Sequence, residues 1–322
     1  MKIGVQMDPI EGITIAGDTS FALMLEAQKR GHDIAVFEPK HVSYNSGEVR
    51  ADVRWVTVAD TAGAHFAVTS AGSIPLVDLD IILIRQDPPF DTAYLANTFL
   101  LELLEGRVVM MNPPRAIRNF SEKLRTLDLA RFMPETYVGS SPSQMRAFAS
   151  RFEQVVVKPL FLGGGLSVLK TSADAPDFDE IVGELMAEVG REPLIVQRFI
   201  PEIVHGDKRV FVIDGKVAGV LRRVPNAGDF RANIHVGGAA KLDALTPDEE
   251  PVCAAVAELC DREGIVFAGI DLIHGYLNEV NVTSPTLIRE YLQLSGIDLA
   301  PVIMASLERK AAQLKAPAGS AA

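Results

Sequence analysis

Residues 264–286, GIVFAGIDLIHGYLNEVNVTSPT, constrain the fold more than any other stretch of the chain. Apolar runs on both sides of a short turn predict a β-hairpin. Side chains alternate along a strand, so Glu279 and Asn281 share one face of the returning strand. A turn of three residues would place Asp271, on the outgoing strand, directly opposite Glu279.

The polar residues of this hairpin indicate a metal site. Asp271, Glu279 and Asn281 stand among valine and isoleucine residues, where converging carboxylates repel one another unless a cation bridges them. Ligation by oxygen atoms alone suits Mg²⁺ that also holds substrate phosphates. The alternative interpretation is a solvated strand face without a ligand.

Upstream of the hairpin lies a candidate phosphate-binding loop. The glycines Gly163, Gly164 and Gly165 separate two predicted strands, and backbone without side chains can direct successive N–H groups at an anion. A flexible hairpin turn is the simpler interpretation. Lys158 favours the phosphate loop, because it follows three valines and a buried ammonium group needs a partner.

Five basic residues lie near a loop rich in glycine and asparagine, FRANIHVGG at residues 230–238. They belong to a predicted hairpin, DKRVFVIDGKVAGVLRRV, with Asp214-Gly215 as its two-residue turn, or to the loop itself. In an acidic protein such a cluster suggests the binding of anionic groups. The five residues are Lys208, Arg209, Arg222, Arg223 and Arg231.

The first third of the chain alternates strands and helices, which predicts a parallel sheet with helices on its faces. The predicted strands are KIGVQMD, HDIAVFEP, a segment from Asp80 to Arg85, and RVVMMN. Ligands of such sheets bind outside the carboxyl ends of the strands, where Asp8, Arg85 and Asp87 would lie. Farther along, SEKLRTLDLARF at residues 121–132 predicts a helix.

Composition narrows the classes of function. The 322 residues are enough for two domains that share a crevice, and the net charge of −11 disfavours a nucleic-acid partner. The apolar runs are too short to span a bilayer, so no membrane partner is expected. The two cysteines, Cys253 and Cys260, are expected to be buried thiols, and we expect a reducing, cytoplasmic location.

Several motifs together resemble the ATP-grasp ligases, and specifically the bacterial glutathione synthetase family. The motifs are MDP (Met7–Pro9), RQDPPFD (Arg85–Asp91), EKL (Glu122–Leu124), VVVKP with its glycine loop, DKRVFVIDG, FRANIHVGG and GIDLI…LNEVNVTSPT. The resemblance extends from Lys2 to about residue 310. It implies an α/β and α+β fold, with a pre-ATP-grasp, peptide-binding domain at residues 1–120 and a two-subdomain ATP-grasp module at 121–313. Residues 314–322 are expected to form a disordered tail.

The resemblance also implies roles for individual residues. ATP would be bound by Lys123, Lys158, Gly163, Gly164, Gly165, Lys208 and the strand end Gln197, Arg198, Phe199 and Ile200. Asp271, Glu279 and Asn281 would hold Mg²⁺, with Mn²⁺ as an expected substitute. Arg209 and Arg231 would stabilise the transferred phosphoryl group and the tetrahedral intermediate. The substrates would contact Asp8, Arg85, Asp87, Ser284, Pro285 and Thr286.

The activity implied is ATP-dependent ligation of γ-glutamylcysteine to glycine through an acyl phosphate, by an enzyme that forms homo-oligomers. Three departures from the family pattern affect loop contacts: Gln86 follows Arg85, Phe161-Leu162 precede the glycines, and His235-Val236 replace a small-residue pair. Two alternatives stay open. One is an ATP-grasp ligase of other specificity, and the other is a kinase or non-catalytic nucleotide-binding protein of the same fold.

Overall fold

The computed structural model describes residues 1–161, 167–226 and 239–316. The described part of the chain has three sheets with helices packed against them. None of the described helices is both long and apolar enough to cross a membrane.

The first sheet has a parallel centre with an antiparallel extension. Its strands are β1 (Lys2–Gln6), β2 (Asp33–Phe37), β3 (Val42–Asn45), β4 (Glu48–Val58), β5 (Phe66–Pro75), β6 (Ile81–Ile84) and β7 (Val109–Met111). The order is β3-β4-β2-β1-β6-β7, with β5 on the other side of β4, and β2, β1, β6 and β7 run parallel. The prediction of a parallel sheet is confirmed for these four strands, whereas β3, β4 and β5 were not predicted.

Three helices follow strands of this sheet: α1 (Thr19–Lys29), α2 (Thr92–Glu102) and α3 (Pro114–Asn119). The chain goes from β1 through α1 to β2 on one side, and later enters β6 on the other side of β1. The carboxyl ends of β1 and β6 therefore border the point where the strand order reverses, which is where open α/β sheets bind ligands.

The second sheet is antiparallel and comprises β8 (Thr136–Gly139), β9 (Val155–Pro159), β10 (Leu169–Thr171) and β11 (Leu194–Arg198), in the order β10-β9-β11-β8. Helices α4 (Pro142–Ala149) and α5 (Phe178–Val189) cover one face. Val155 and Val157 of β9 point into this core. Because side chains alternate, Lys158 points to the opposite face.

The third sheet has the order β14-β13-β12-β15-β16. Its strands are β12 (Asp207–Ile213), β13 (Lys216–Val224), β14 (Ala239–Leu242), β15 (Phe267–Ile273) and β16 (Tyr276–Asn281). Helix α6 (Glu250–Arg262) covers one face, with the thiols of Cys253 and Cys260 both buried, as predicted. The remaining helices are α7 (Ile288–Ser295) and α8 (Ala300–Lys315).

One hydrophobic core joins the first and third sheets. Ile3 and Val5 of β1, helices α1 and α8, and Phe211 and Phe267 of the third sheet belong to the same cluster. Buried Asn112 adds a polar connection: its Nδ2 donates to the carbonyl oxygens of Phe267 and Val282, each at 2.7 Å. Its Oδ1 accepts from two backbone N–H groups at 2.9 and 3.1 Å. The two sheets therefore form one packed unit.

Two details differ from the sequence-based expectations. The helix predicted over residues 121–132 is a 3₁₀ segment, Arg125–Phe132, interrupted by non-helical backbone at Leu129. Helix α8 ends at Lys315, so residues 314 and 315 are helical rather than part of the expected disordered tail, and residues 317–322 lie outside the described residues.

Candidate active site

Two β-bulges direct charged side chains to one face of the third sheet. The β15–β16 turn has two residues, His274-Gly275, so the three-residue turn on which the Asp271–Glu279 pairing was conditional does not form. Uninterrupted pairing from that turn would set Asp271 opposite Asn278. The register shifts between Asp271 and Leu272, so Asn278 is an extra residue and Glu279 pairs with Asp271. The predicted Asp271–Glu279 pairing is thus correct, but a bulge produces it.

The second bulge acts in the same way on the neighbouring hairpin. Asp214 and Gly215 form its predicted two-residue turn, with φ of 47° and 67°. Regular pairing would set Arg222 opposite Asp207, but the register shifts between Phe211 and Val212 and brings Arg223 there instead. Arg223 therefore reaches the face that carries Asp271, and Arg222 does not.

Asp271 is the centre of a buried ion-pair network. Arg209 Nε and Nη2 donate to its two oxygens at 2.6 and 3.0 Å, and Arg223 Nη2 lies 2.9 Å from Oδ2. Arg223 also donates from Nε to Asp207 Oδ1 at 2.8 Å. Burial alone would raise the pKa of Asp271, but the two guanidinium groups outweigh it and lower the pKa below its ordinary value. Asp271 is therefore an anion.

Glu279 lies beside Asp271, but its pKa is shifted in the opposite direction. Burial raises the pKa of Glu279, the ammonium group of Lys123 opposes that shift, and the neighbouring Asp271 carboxylate reinforces it. Asn281 Nδ2 lies 3.2 Å from Asp271 Oδ2 and 3.5 Å from Glu279 Oε1. Two carboxylates within reach of one amide, one of them favouring the protonated form, make a donor set that fits a divalent cation.

Two lysines approach this cluster from the chain that precedes the third sheet. Lys158 of β9 is buried, and its Nζ donates to Oδ1 of Asn278, the bulged residue, at 2.9 Å. Burial lowers the pKa of Lys158 to about 8, and nearby Lys123 also lowers it, whereas Glu279 and Asp271 raise it. Lys123 Nζ donates to Leu160 O at 3.2 Å and lies 4.0 Å from Glu279 Oε2. Lys123 and Lys158, which are both predicted to bind ATP, thus lie near the Asp271 and Glu279 carboxylates.

Lys208, the third lysine predicted to bind ATP, does not lie at the carboxylate cluster. It alternates with Arg209 along β12 and points to the face that α6 covers, where it is buried. Its Nζ donates to Glu249 Oε2 at 2.6 Å and to Ala244 O at 2.7 Å. Glu249 Oε2 also accepts from the backbone N–H of Thr246 at 2.8 Å, which is half of a capping box. The geometry makes Lys208 a link between β12 and the start of α6.

The predicted ATP-binding segment, residues 197–200, comprises the last two residues of β11 and the two residues that follow it. Gln197 is buried and donates from Nε2 to Thr136 Oγ1 at 2.8 Å, whereas Ile200 is a buried apolar residue. Arg198 pairs with Glu135 and lies over the Tyr276 ring, 5.1 Å from its centroid. The Phe199 ring lies 4.8 Å from Lys170 Nζ. This segment therefore lies between the second and third sheets, beside the turn side of β16.

The predicted substrate residues meet at the boundary of the first and third sheets. Arg85 is buried; its Nε donates to Ser20 Oγ and its Nη2 to Pro285 O, both at 3.0 Å. Ser284 Oγ donates to Asp87 Oδ1 at 2.7 Å, and the Asp87 N–H donates to Asp8 Oδ2 at 3.0 Å. Half-buried Thr286 follows Pro285 directly.

Four predicted site residues, Gly163, Gly164, Gly165 and Arg231, lie outside the described residues. Asp207 and Asn278 were not assigned to the site from the sequence, and Arg223 was named only among the five clustered basic residues. Arg223 would point away from the site in an unbulged hairpin, whereas Asn278 would lie opposite Asp271 and Glu279 would point away. The signal that the sequence offered is that adjacent charged residues lie within valine-rich strands.

Comparison with known proteins agrees with this geometry. Residues 1–118 match a family model described as prokaryotic glutathione synthetase, N-terminal domain, and residues 122–296 match one described as prokaryotic glutathione synthetase, ATP-grasp domain. The chain belongs to the prokaryotic glutathione synthetase family. The glutathione synthetase of Rhodopseudomonas palustris is 41% identical over 312 residues, which covers 97% of this chain and 99% of that protein. The glutathione synthetase of Escherichia coli is 35% identical over 315 residues, with 97% and 99% covered.

Solved structures of low identity share the fold. A D-cycloserine synthetase matches with a TM-score of 0.67 at 15% identity, covering 98% of this chain and all 100% of that one. D-alanyl-alanine synthetase A from Vibrio cholerae matches with a TM-score of 0.63 at 15% identity, covering 97% and 98%. Membership of the glutathione synthetase family makes the chain an ATP-dependent ligase, and ATP-grasp ligases use ATP with a divalent metal.

Proposed function

We propose that this member of the glutathione synthetase family joins γ-L-glutamyl-L-cysteine to glycine, with cleavage of ATP to ADP and phosphate. One observation carries the proposal: a residue predicted to bind the peptide contacts the chain segment that directly follows the proposed metal ligands. Arg85, in the first domain, donates to Pro285, which lies only four residues after Asn281. The Cα atoms of Asn281 and Pro285 are therefore at most about 14 Å apart. A dipeptide held at Arg85 can therefore place its cysteinyl carboxylate near the carboxylate cluster.

The first step forms an acyl phosphate. An oxygen of the cysteinyl carboxylate attacks the γ-phosphorus of ATP, the bond to the β–γ bridging oxygen breaks, and ADP leaves. Phosphoryl transfer requires positioning and charge neutralisation rather than covalent help. Lys123, Lys158 and Arg209 supply positive charge for that purpose, and their burial strengthens its effect.

The second step forms the amide. The glycine amine attacks the acyl carbon to form the C–N bond and a tetrahedral oxyanion. The bond from carbon to the phosphate oxygen then breaks, and the departing phosphate takes the proton that the nitrogen loses. Arg209 or Arg231 stabilises this oxyanion, as positioned cationic donors do in other acyl transfers. The segment Ser284–Pro285–Thr286 borders the acceptor position, and hydrogen bonding of Ser284 to Asp87 supports its placement there.

We assign the divalent metal as Mg²⁺, with Mn²⁺ as a substitute, held by Asp271, Glu279 and Asn281. Their oxygen donors support that choice, because Mg²⁺ prefers carboxylate and carbonyl ligands and readily retains substrate phosphates. When bound, the ion supplies charge neutralisation to the phosphates of ATP. ATP itself is assigned to Lys123, Lys158, the glycine loop and the segment Gln197–Arg198–Phe199–Ile200.

Assembly with copies of the same chain is also part of the proposal. Strand β5 supports it, because its ten residues carry no charged side chain and most are exposed. Among the described strands only β4 pairs with β5, and an uncharged edge strand readily pairs with another strand. Light scattering on the parent and on a Val68→Lys variant tests this proposal. A monomeric parent would contradict it.

A cytoplasmic location completes the proposal. It is supported by the use of ATP, and by two buried cysteines that are free thiols in the structure. Cell fractionation that recovers the protein outside the cytoplasm would contradict it.

An ADP-release assay tests the function. We expect release only when γ-glutamylcysteine and glycine are both present, with alanine and larger amino acids far less effective. Equal release with unrelated peptides and amines would identify an ATP-grasp ligase of other specificity. Release without any amine would identify a kinase.

A further inference from the structure

Buried polar atoms without a hydrogen-bond partner collect at the carboxyl ends of β1 and β6. Within residues 1–161, 167–226 and 239–316 they include Gln6 Oε1, Thr19 Oγ1, Arg85 Nη1 and the Tyr94 hydroxyl. Gln6 ends β1, Thr19 begins the next helix, Arg85 follows β6, and Tyr94 lies in the first turn of α2. Buried polar groups are normally paired, because an unpaired one loses its hydration without compensation. Such a concentration indicates a site that a ligand completes.

Tyr94 is held rigidly and keeps its proton. Asp91 caps α2 by accepting from the Tyr94 N–H at 2.8 Å, and the Phe90 ring lies 4.8 Å from the Tyr94 ring. The side chain is fully buried. Burial raises the pKa of its hydroxyl, the carboxylates of Glu122, Asp87 and Asp8 act in the same direction, and Arg85 opposes them. The hydroxyl is therefore a hydrogen-bond donor at neutral pH, close to the predicted substrate residues.

Arg85 provides a second donor with a fixed direction. Its Nε and Nη2 are bound to Ser20 and Pro285, so the plane of the guanidinium group is set by two elements. Nη1 remains buried and without a partner. A guanidinium group and a phenol that both need an acceptor match a carboxylate, which offers two oxygens.

We propose that Tyr94 is a substrate-binding residue whose hydroxyl, together with Arg85 Nη1, donates to the α-carboxylate of the γ-glutamyl group. This assignment rests on the proposed function. The ammonium group on the same carbon atom of the substrate faces Asp8 and Asp87, whose carboxylates lie at this edge. Residues 87–89, which precede the Phe90 ring that lies against Tyr94, are exposed to solvent.

The test is a Tyr94→Phe variant, which keeps the ring and removes only the hydroxyl. We expect the KM for γ-glutamylcysteine to rise by about 10- to 150-fold, the effect of one lost hydrogen bond to a charged group. The KM for ATP should stay within twofold. The Tm of the free protein should not fall, because the hydroxyl has no partner there to lose. Tyr291→Phe, at another buried tyrosine, is the matched control and should leave both KM values unchanged.

A substrate analogue identifies the atom that Tyr94 contacts. 4-Aminobutanoyl-cysteine lacks the α-carboxylate, so the parent should use it poorly and Tyr94→Phe should cost nothing further with it. Equal losses with both peptides would overturn the proposal, as would an unchanged KM for γ-glutamylcysteine or a lower Tm of the free variant. A parent that makes no glutathione would instead overturn the proposed function.

Discussion

Lys158 makes the stability of the free enzyme depend on pH. Its pKa falls from 10.5 to about 8, with burial as the main cause. Between pH 8 and 10.5 the unfolded chain therefore binds a proton at this residue that the folded chain does not. The free energy of unfolding rises with pH across this window, by at most about 3 kcal/mol from this group.

A Lys158→Met variant removes this contribution and the contact with ATP. Without ligands, the variant should be more stable than the parent at pH 7, and the difference in Tm should shrink as pH approaches 10. ATP should stabilise the variant less than it stabilises the parent, because one charged contact is lost. Melting curves between pH 7 and 10 check this, with exposed Lys216→Met as the control. A Tm difference that is independent of pH would show that Lys158 keeps its ordinary pKa in the folded protein.

Glu279 tests the metal site. Glu279→Gln keeps the shape but removes one of two ligand charges, so we expect half-maximal activity to need at least about tenfold more Mg²⁺. The Tm of the metal-free protein should not fall, because the carboxyl group is costly to ionise in its buried position. Activity titrations with Mg²⁺ and Mn²⁺ measure the effect, and Glu258→Gln on the exposed side of α6 is the control. Titrations that overlay the parent's would leave the hairpin without a metal role.

At the scale of elements, Lys208 links β12 to α6. In Lys208→Met the buried carboxylate of Glu249 loses its charged partner, and we expect the free energy of unfolding to fall by about 3–5 kcal/mol. The double variant Lys208→Met/Glu249→Leu should recover most of this loss. The KM for ATP should stay within twofold in both variants. Denaturant titration and steady-state kinetics decide the matter: a large rise in the KM for ATP without loss of stability would support the nucleotide role that the family resemblance implies.

The hairpins show how far the sequence predicts this site. The shared face of Glu279 and Asn281 and the Asp214-Gly215 turn were predictable, because alternation and turn residues are local signals. The Asp271–Glu279 pairing was reached from a three-residue turn that does not form. The bulges at Asn278 and in β13 were not predictable. An extra residue in a strand has no characteristic local sequence, and the packing of the two faces of the sheet determines where it is inserted. The bulges decide that Arg223, rather than Arg222, reaches Asp271.

Elsewhere the limits of prediction have other causes. The parallel centre of the first sheet follows from the alternation of apolar strands and helices. Strand β5 lacks a strong pattern, because most of its residues are exposed and its pairing with β4 depends on tertiary contacts. The segment Arg125–Phe132 has helical periodicity but forms a 3₁₀ segment, in which Thr126 Oγ1 bonds to Lys123 O.

At the scale of the whole molecule, the first and third sheets form one body. Their shared core and the four hydrogen bonds of Asn112 fix the position of the residues proposed to bind the peptide relative to the proposed metal ligands. Phe90 of the first domain also stacks on Phe161, which follows β9, at 6.4 Å between centroids. The proposed substrate would contact residues on both sides of this boundary.

The central claim is that a carboxylate bound in this crevice is phosphorylated before an amine attacks it. The most direct measurement uses γ-glutamylcysteine with both oxygens of its cysteinyl carboxylate labelled with ¹⁸O, together with ATP and glycine. Mass spectrometry should find one ¹⁸O in each phosphate released and one retained in the amide carbonyl of glutathione. Unlabelled phosphate would contradict the account, because an acyl phosphate cannot form without passing that oxygen to phosphorus.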